Sequence, residues 1–181
     1  VIGVLRRKLV ALREGRGVPH GIYWHIFNVW PALVGTGGRV THVSDDWTEL
    51  DVRLPLTWRT RNYVGTIFGG SIYSATDPYA MLMLMRQLGD NYVVWDKGAK
   101  IAFKRPATET LYAEFRLPRD LVEDLRARVD EHNKLDWVYV LDLKDKDGNT
   151  YATIEKQLYL ARKDWYVARQ ERRGRDWKPS S

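Results

Sequence analysis

Cysteine is absent from the 181 residues, which removes disulfides, thiolate zinc sites and cysteine nucleophiles from consideration. Histidine is scarce, with only His20, His25, His42 and His132, and no pair of them has the i, i+4 spacing of a helical metal site. No apolar run is long enough to span a bilayer; the longest covers residues 80–85 and consists of alanine, methionine and leucine. Residues 1–12 are interrupted by Arg6, Arg7 and Lys8 and lead to no small-residue cleavage site, so no secretory signal is read there. Internal repeats, low-complexity tracts and a linker that would split the chain are missing too. The expectation is a soluble, cytoplasmic protein with no transmembrane segment, whose single main domain is long enough to bury a core without metal or disulfide staples.

Charge is present but unevenly placed. The net charge is +6, yet residues 1–16 and residues 162–178 each carry +4 and the stretch between them is slightly acidic. Basic ends attract phosphate, in nucleic acid or in a nucleotide tail on a small substrate. No helix-turn-helix, zinc-finger or RNP-type pattern accompanies them, so they read as solvated ends and a nucleic-acid partner is not expected. The resulting division is a basic helical segment over 1–21, a main domain over 22–163 and a basic tail over 164–181.

Periodicity supplies the elements. Residues 1–12 have helical apolar spacing with a basic opposite face, and residues 22–33 read as a buried helix interrupted at Pro31. Residues 39–44 and 46–57 read as strands, the second with Leu50, Val52 and Leu54 on its apolar face. A long helical segment runs from Gly69 to Leu88, where Gly89, Asp90 and Asn91 stop it. Strands follow over 92–104, 109–117, 136–144 and 150–162. A short amphipathic helix over 118–132 is inserted among them, and residues 145–149 form a hairpin turn. Six strands, mostly antiparallel and connected as a meander, bury their shared face most economically by wrapping around the long helix. The predicted class is therefore α+β, a sheet of about six strands around a central helix with an extra N-terminal helix.

One stretch carries chemistry: Asn62, Gly65, Thr66, Gly69, Gly70 and Asp77. Asp77 is the one acidic residue between Gly69 and Leu88, and a carboxylate on an apolar helix is costly unless it is paired, sits at a helix end or is functional. Pro78 follows it, so Asp77 also reads as the N-cap of a second helical piece over 78–88. Asn62 reads equally as a turn-capping side chain, and the Gly69–Gly70 pair as a tight turn.

In this order and spacing these residues resemble the signature of the hotdog-fold thioesterase superfamily, and the resemblance extends over roughly residues 25–162. The stretches 94–97 and 103–106 further resemble a little-characterised, thioesterase-like branch of it. The resemblance implies an acyl thioester hydrolase, acting on acyl-CoA, in which Asp77 is nucleophile or general base and Asn62 positions the water or the carbonyl. Gly69, without a side chain at a helix N-terminus, would offer its N–H to the developing oxyanion. Where the common signature has histidine this chain has Phe68, which cannot donate a hydrogen bond and is expected to line an acyl pocket.

Gly70 and Met81 are candidates for the same pocket, and Lys97, Lys104 and Arg105 for the coenzyme A phosphates. A methionine-rich core and ordinary exposed strand lysines are the plainer readings of those side chains. No metal or redox cofactor is implied; coenzyme A enters only as part of the substrate. The implied assembly is a homodimer or a dimer of dimers with the site between subunits. Phe68 and Pro78 favour a second reading, a groove that binds an acyl-CoA or fatty acyl group without cleaving it.

Overall fold

The computed structural model describes residues 23–176, so the helix expected over residues 1–12 lies outside the described residues. Among the described residues two short helices come first, α1 (Tyr23–Val29) and α2 (Pro31–Val34). Pro31 opens α2, where its missing N–H leaves no helical bond unmade. The segment is less buried than its composition predicts, for Val29 and Trp30 are exposed. It docks through Phe27, whose ring meets Trp47 and Tyr79 edge-on, and through Asn28, whose side-chain amide bonds both the N–H and the carbonyl of Val40.

The six strands are β1 (Arg39–Val43), β2 (Glu49–Leu54), β3 (Tyr92–Phe103), β4 (Leu111–Arg116), β5 (Lys134–Lys144) and β6 (Thr150–Arg162). They form one antiparallel sheet in the order β1-β2-β4-β5-β6-β3. Alternation explains the inner face: Leu111, Ala113 and Phe115 of β4 are buried while Tyr112, Glu114 and Arg116 point out. The expected meander holds for β1–β2 and for β4–β5–β6, but β3 leaves it and pairs with β6 at the far edge. The helical segment between β2 and β3 is long enough to carry the chain across the sheet. The β5–β6 turn is the hairpin the sequence predicts. The Asp145 carboxylate accepts the N–H groups of Asp147 and Asn149, and Gly148 takes a φ of 84°.

Helix α5 (Arg119–His132) buries the stripe Val122, Leu125 and Val129, and Asn133 ends it in the left-handed region. Helix α6 (Lys163–Asp176) continues directly from β6 into the basic segment expected as a tail. The central helix is two pieces, α3 (Gly69–Ser74) and α4 (Tyr79–Leu88). Pro78 has no N–H to continue the ladder, and the Thr76 hydroxyl instead donates to the Tyr73 carbonyl at 2.8 Å. Sheet and helix meet closely at this break, since a Cβ on Gly38 would lie 2.7 Å from that of Ala75.

Ala80, Met83, Leu84 and Leu88 of α4 pack into the concave face among Leu111, Phe115, Leu141, Ile154 and Leu158. Gln87 fixes the far end of α4 by donating from Nε2 to the carbonyls of Trp47 and Leu117. Among the described residues no helix is long and apolar enough to cross a membrane. Leu84 is fully buried, so Leu84→Ala is expected to cost about 2–5 kcal/mol of unfolding free energy, measured by urea titration.

Candidate active site

The break between α3 and α4 places Asp77 over the concave face of the sheet, and the residue beneath it is Lys156 of β6. Lys156 Nζ donates to Asp77 Oδ1 at 2.6 Å and to the Asp77 backbone carbonyl at 2.7 Å. Its ammonium also lies 5.3 Å from the centre of the Tyr73 ring. The lysine side chain is 1% exposed whereas that of Asp77 is 45% exposed. A buried ammonium therefore presents a carboxylate that water and small molecules can reach. The N-cap position of α4 belongs to Pro78, and no side chain caps that end. The carboxylate of Asp77 is engaged by lysine.

A second carboxylate shares the ammonium. Asp96 of β3 brings Oδ1 to 3.1 Å from Lys156 Nζ, close enough for an ion pair but off the hydrogen-bonding direction, and this buried oxygen makes no hydrogen bond. The three groups push on one another. Burial raises the Asp77 carboxyl, but the hydrogen bond and charge of Lys156, with help from the Tyr73 hydroxyl, outweigh it and hold it below the usual carboxylate value. For Asp96, burial and then the nearby Asp77 charge prevail over the pull of Lys156, so its carboxyl is raised. Burial alone would lower Lys156, yet the two aspartates keep it above the ordinary lysine value and fully charged.

A bulge in β3 follows directly after Asp96, which faces inward in phase with the buried Val94. Asp96 pairs with Leu158 and Gly98 with Gln157, so Lys97 is one residue extra on its strand. Lys97 points to the outer face and pairs with Asp136 of β5 at 2.9 Å. Asp96 and Lys97 thus serve opposite faces, as neighbouring strand residues do, and Lys97 stays away from Asp77. Beyond the bulge the inward-facing positions are Ile101 and Phe103, which pair with the buried Ile154 and Ala152.

Phe103 reaches the start of α3. A Cβ on Gly69 would lie 2.9 Å from the tip of the Phe103 ring, and one on Gly70 would lie 2.3 Å from the Phe68 ring. Both rings are more than half exposed, so the two glycines form a floor beneath two solvent-facing aromatics. The first N–H groups of any helix lack intrahelical partners, and that of Gly69 stands at this floor. Asn62 sits in the loop just before it. Its Oδ1 accepts the N–H groups of Val64 and Thr66, and its Nδ2 donates to the Thr66 hydroxyl. Asn62 therefore shapes the 62–66 loop, as a turn-capping side chain does, and keeps one amide hydrogen uncommitted in that set.

The remaining candidates lie further out. Met81 is half-buried and packs against the core. Lys104 and Arg105 are exposed where β3 ends; their N–H groups bond the Tyr151 carbonyl, and the Arg105 guanidinium lies over the Tyr151 ring at 6.0 Å. Among the described residues no group of three or more histidine, aspartate or glutamate side chains could hold a metal ion. The residue that sequence reasoning missed is Lys156. Its signal was legible, for it stands in phase with Ala152, Ile154, Leu158 and Leu160 on the apolar face of β6.

Residues 22–160 match the sequence profile of DUF4442, a domain of unknown function. Known structures are similar over most of the chain. A Pseudomonas aeruginosa protein of unknown function, described as a probable thioesterase, has a TM-score of 0.69 at 21% identity, covering 80% of this chain and 97% of its own. A Haemophilus influenzae thioesterase scores 0.57 at 13% identity, covering 81% and 93%. A mutant thioesterase from Pseudomonas aeruginosa scores 0.57 at 15% identity, covering 81% and 97%. No curated protein matches the chain. The fold shared with these structures is the hotdog fold, the α+β class the sequence predicts.

Lys156→Met leaves two carboxylates against the core without a counter-charge. The expected loss at pH 7 is about 2 kcal/mol, less than for a fully enclosed pair because Asp77 keeps part of its water. In the wild type the Asp77 contribution is present above the unfolded carboxylate value and fades as pH falls through its depressed folded value. In the variant the unpaired carboxylates protonate readily. The gap between the two urea midpoints is expected to narrow as pH is lowered from 7 towards 4.

Proposed function

The chain belongs to the DUF4442 family, and from that premise we propose that it hydrolyses acyl thioesters, with acyl-CoA as the substrate class. One observation carries the reading: a carboxylate exposed to solvent is held ionised by a buried lysine at the break of the central helix. The thioesterase descriptions of proteins with the same fold point the same way.

In this reading an Asp77 carboxylate oxygen attacks the thioester carbonyl carbon. The C–S bond breaks, thiolate departs and takes a proton from water, and a second water hydrolyses the aspartyl anhydride to release the acid. The alternative route has Asp77 take a proton from water as that water adds to the carbonyl. A general base works best with a pKa near the working pH. Lys156 keeps the Asp77 carboxylate ionised, the form that either route requires. The Gly69 N–H serves as oxyanion donor, and Asn62 holds the loop that leads to it. Phe68 and Phe103 line the acyl path, with Gly70 keeping the Phe68 ring close and Met81 behind it. Lys104 and Arg105 are the cations placed to meet phosphates, whereas Lys97 is committed to Asp136 on the other face.

The site is completed by a second copy of the chain. The free edge of β3 offers unpaired backbone groups for a strand of that copy, and the exposed Trp58, Tyr63, Phe68 and Phe103 offer apolar area for it to cover. A homodimer places Gly69 of one copy opposite Asp77 of the other.

A second reading, acyl-CoA binding without cleavage, rests on the engagement of Asp77 Oδ1 by Lys156. An acyl-CoA panel with a free-thiol readout separates the two, for tight binding without thiol release establishes binding alone. Under the hydrolase reading Asp77→Asn is expected to lower turnover at least about 100-fold, with the circular dichroism spectrum and elution volume unchanged. Retained turnover removes Asp77 from the mechanism.

A further inference from the structure

One ammonium beneath Asp77 would neutralise one carboxylate, yet two carboxylates converge on it. Lys156 is 1% exposed, and its partners Asp77 Oδ1 and Asp96 Oδ1 approach Nζ to 2.6 and 3.1 Å. The cluster therefore holds one negative charge more than its neutrality needs. Asp96 contributes that surplus at a cost, because its inward oxygen is buried and makes no hydrogen bond. A carboxylate oxygen without a hydrogen bond is rare in a core, and here it faces inward in phase with the buried Val94 of the same strand. Asparagine at this position would fill the same space without the charge.

We propose that Asp96 is a positioning residue for Asp77, acting through the Lys156 ammonium that the two carboxylates share. The proposal rests on the reading of Asp77 as the reacting group. When Asp96 is ionised, the field of Lys156 is divided, and Asp77 keeps enough electron density at its free oxygen to attack a carbonyl. When Asp96 is protonated or replaced by a neutral side chain, Lys156 belongs to Asp77 alone and the carboxylate becomes a weaker nucleophile. The group that decides the acid limb of the reaction is then one that need not touch substrate. The groups acting on Asp96 are Lys156 of β6 and Asp77 at the helix break, and Tyr73 of α3 completes the cluster. Among the described residues, no charged side chain of α4 or α6, the helices also packed against β3, is one of the groups acting on Asp96.

The experiment compares wild type, Asp96→Asn and Asp96→Glu by two readouts. The first is ¹³C-carboxyl NMR titration of Asp77, which needs no turnover. The second is the pH profile of kcat and of kcat/KM for acyl-CoA hydrolysis. Asp96 protonates before Asp77 as pH falls, so the wild-type Asp77 carboxyl signal is expected to show an upper step where Asp96 titrates and a lower one of its own. In Asp96→Asn the upper step is expected to vanish, kcat to drop about tenfold with KM unchanged, and the acid limb to move down to the lower step. Asp96→Glu keeps the charge and is expected to retain both steps; it also serves if the asparagine variant fails to fold, since loss of the upper step in a folded glutamate variant overturns the proposal. A single-step Asp77 signal in the wild type, or an upper step that persists in Asp96→Asn, overturns it as well, whether or not the protein hydrolyses thioesters. An upper step that Asp96→Asn abolishes, in a protein whose wild type shows no turnover, supports the coupling and removes the hydrolase reading instead.

Discussion

A charge in the wrong place organises this molecule. Lys156 stands where the alternation of β6 calls for an aliphatic side chain, and its ammonium is sealed beneath the central helix. Desolvating an ammonium costs several kcal/mol unless partners replace the lost water. The partners it finds are the carboxylate and the backbone carbonyl of Asp77. A carbonyl pointing down at the sheet is available because the helix is broken by Pro78, and the break in turn sets the carboxylate above the sheet. Sequence, helix geometry and charge thus fix one another. Neither the break nor the acid has an adequate reason alone.

The consequence is a carboxylate whose ionised form is favoured by Lys156 and whose Oδ1 is held by it before any ligand arrives. Preorganised charge of this kind costs nothing at the moment of reaction, because the fold has already met the expense. The surroundings divide the labour. The glycine floor and the exposed rings of Phe68 and Phe103 supply close backbone approach and apolar surface, while Asn62 shapes the loop that leads to Phe68 and the glycines. The cations near the chain's surface are dispersed among local partners, Lys97 with Asp136 and Arg105 over Tyr151.

Much of the fold was legible because each strand buries one face, so the period of two survives in the sequence. Leu50, Val52 and Leu54 in β2 and Leu111, Ala113 and Phe115 in β4 are read correctly that way. The order of strands was less accessible. Nothing local tells β3 to join β6 rather than β4, since that depends on where the intervening helix lands. Asp77 was visible as a lone acid in an apolar segment, and both of its readings were open until Pro78 proved to hold the N-cap position. Lys156 was visible in principle as a cation in phase with four aliphatic or small neighbours. The face of Asp96 was legible too, since it alternates with Val94, but its meeting with Lys156 was not, because that depends on β3 pairing with β6.

That bulge at Lys97 also means that β3 is written in two reading phases. Even-numbered residues, Val94 and Asp96, look at the helix before it, and odd-numbered ones, Ile101 and Phe103, look at it afterwards. An insertion or deletion of a single residue in this strand would not shorten or lengthen the sheet noticeably. It would evert one half of the strand while leaving the other half untouched, exchanging either the acid or the aromatic for whatever now faces outward. Charge cluster and ring floor are therefore inherited as separable modules on one continuous backbone, joined by a single surplus amino acid.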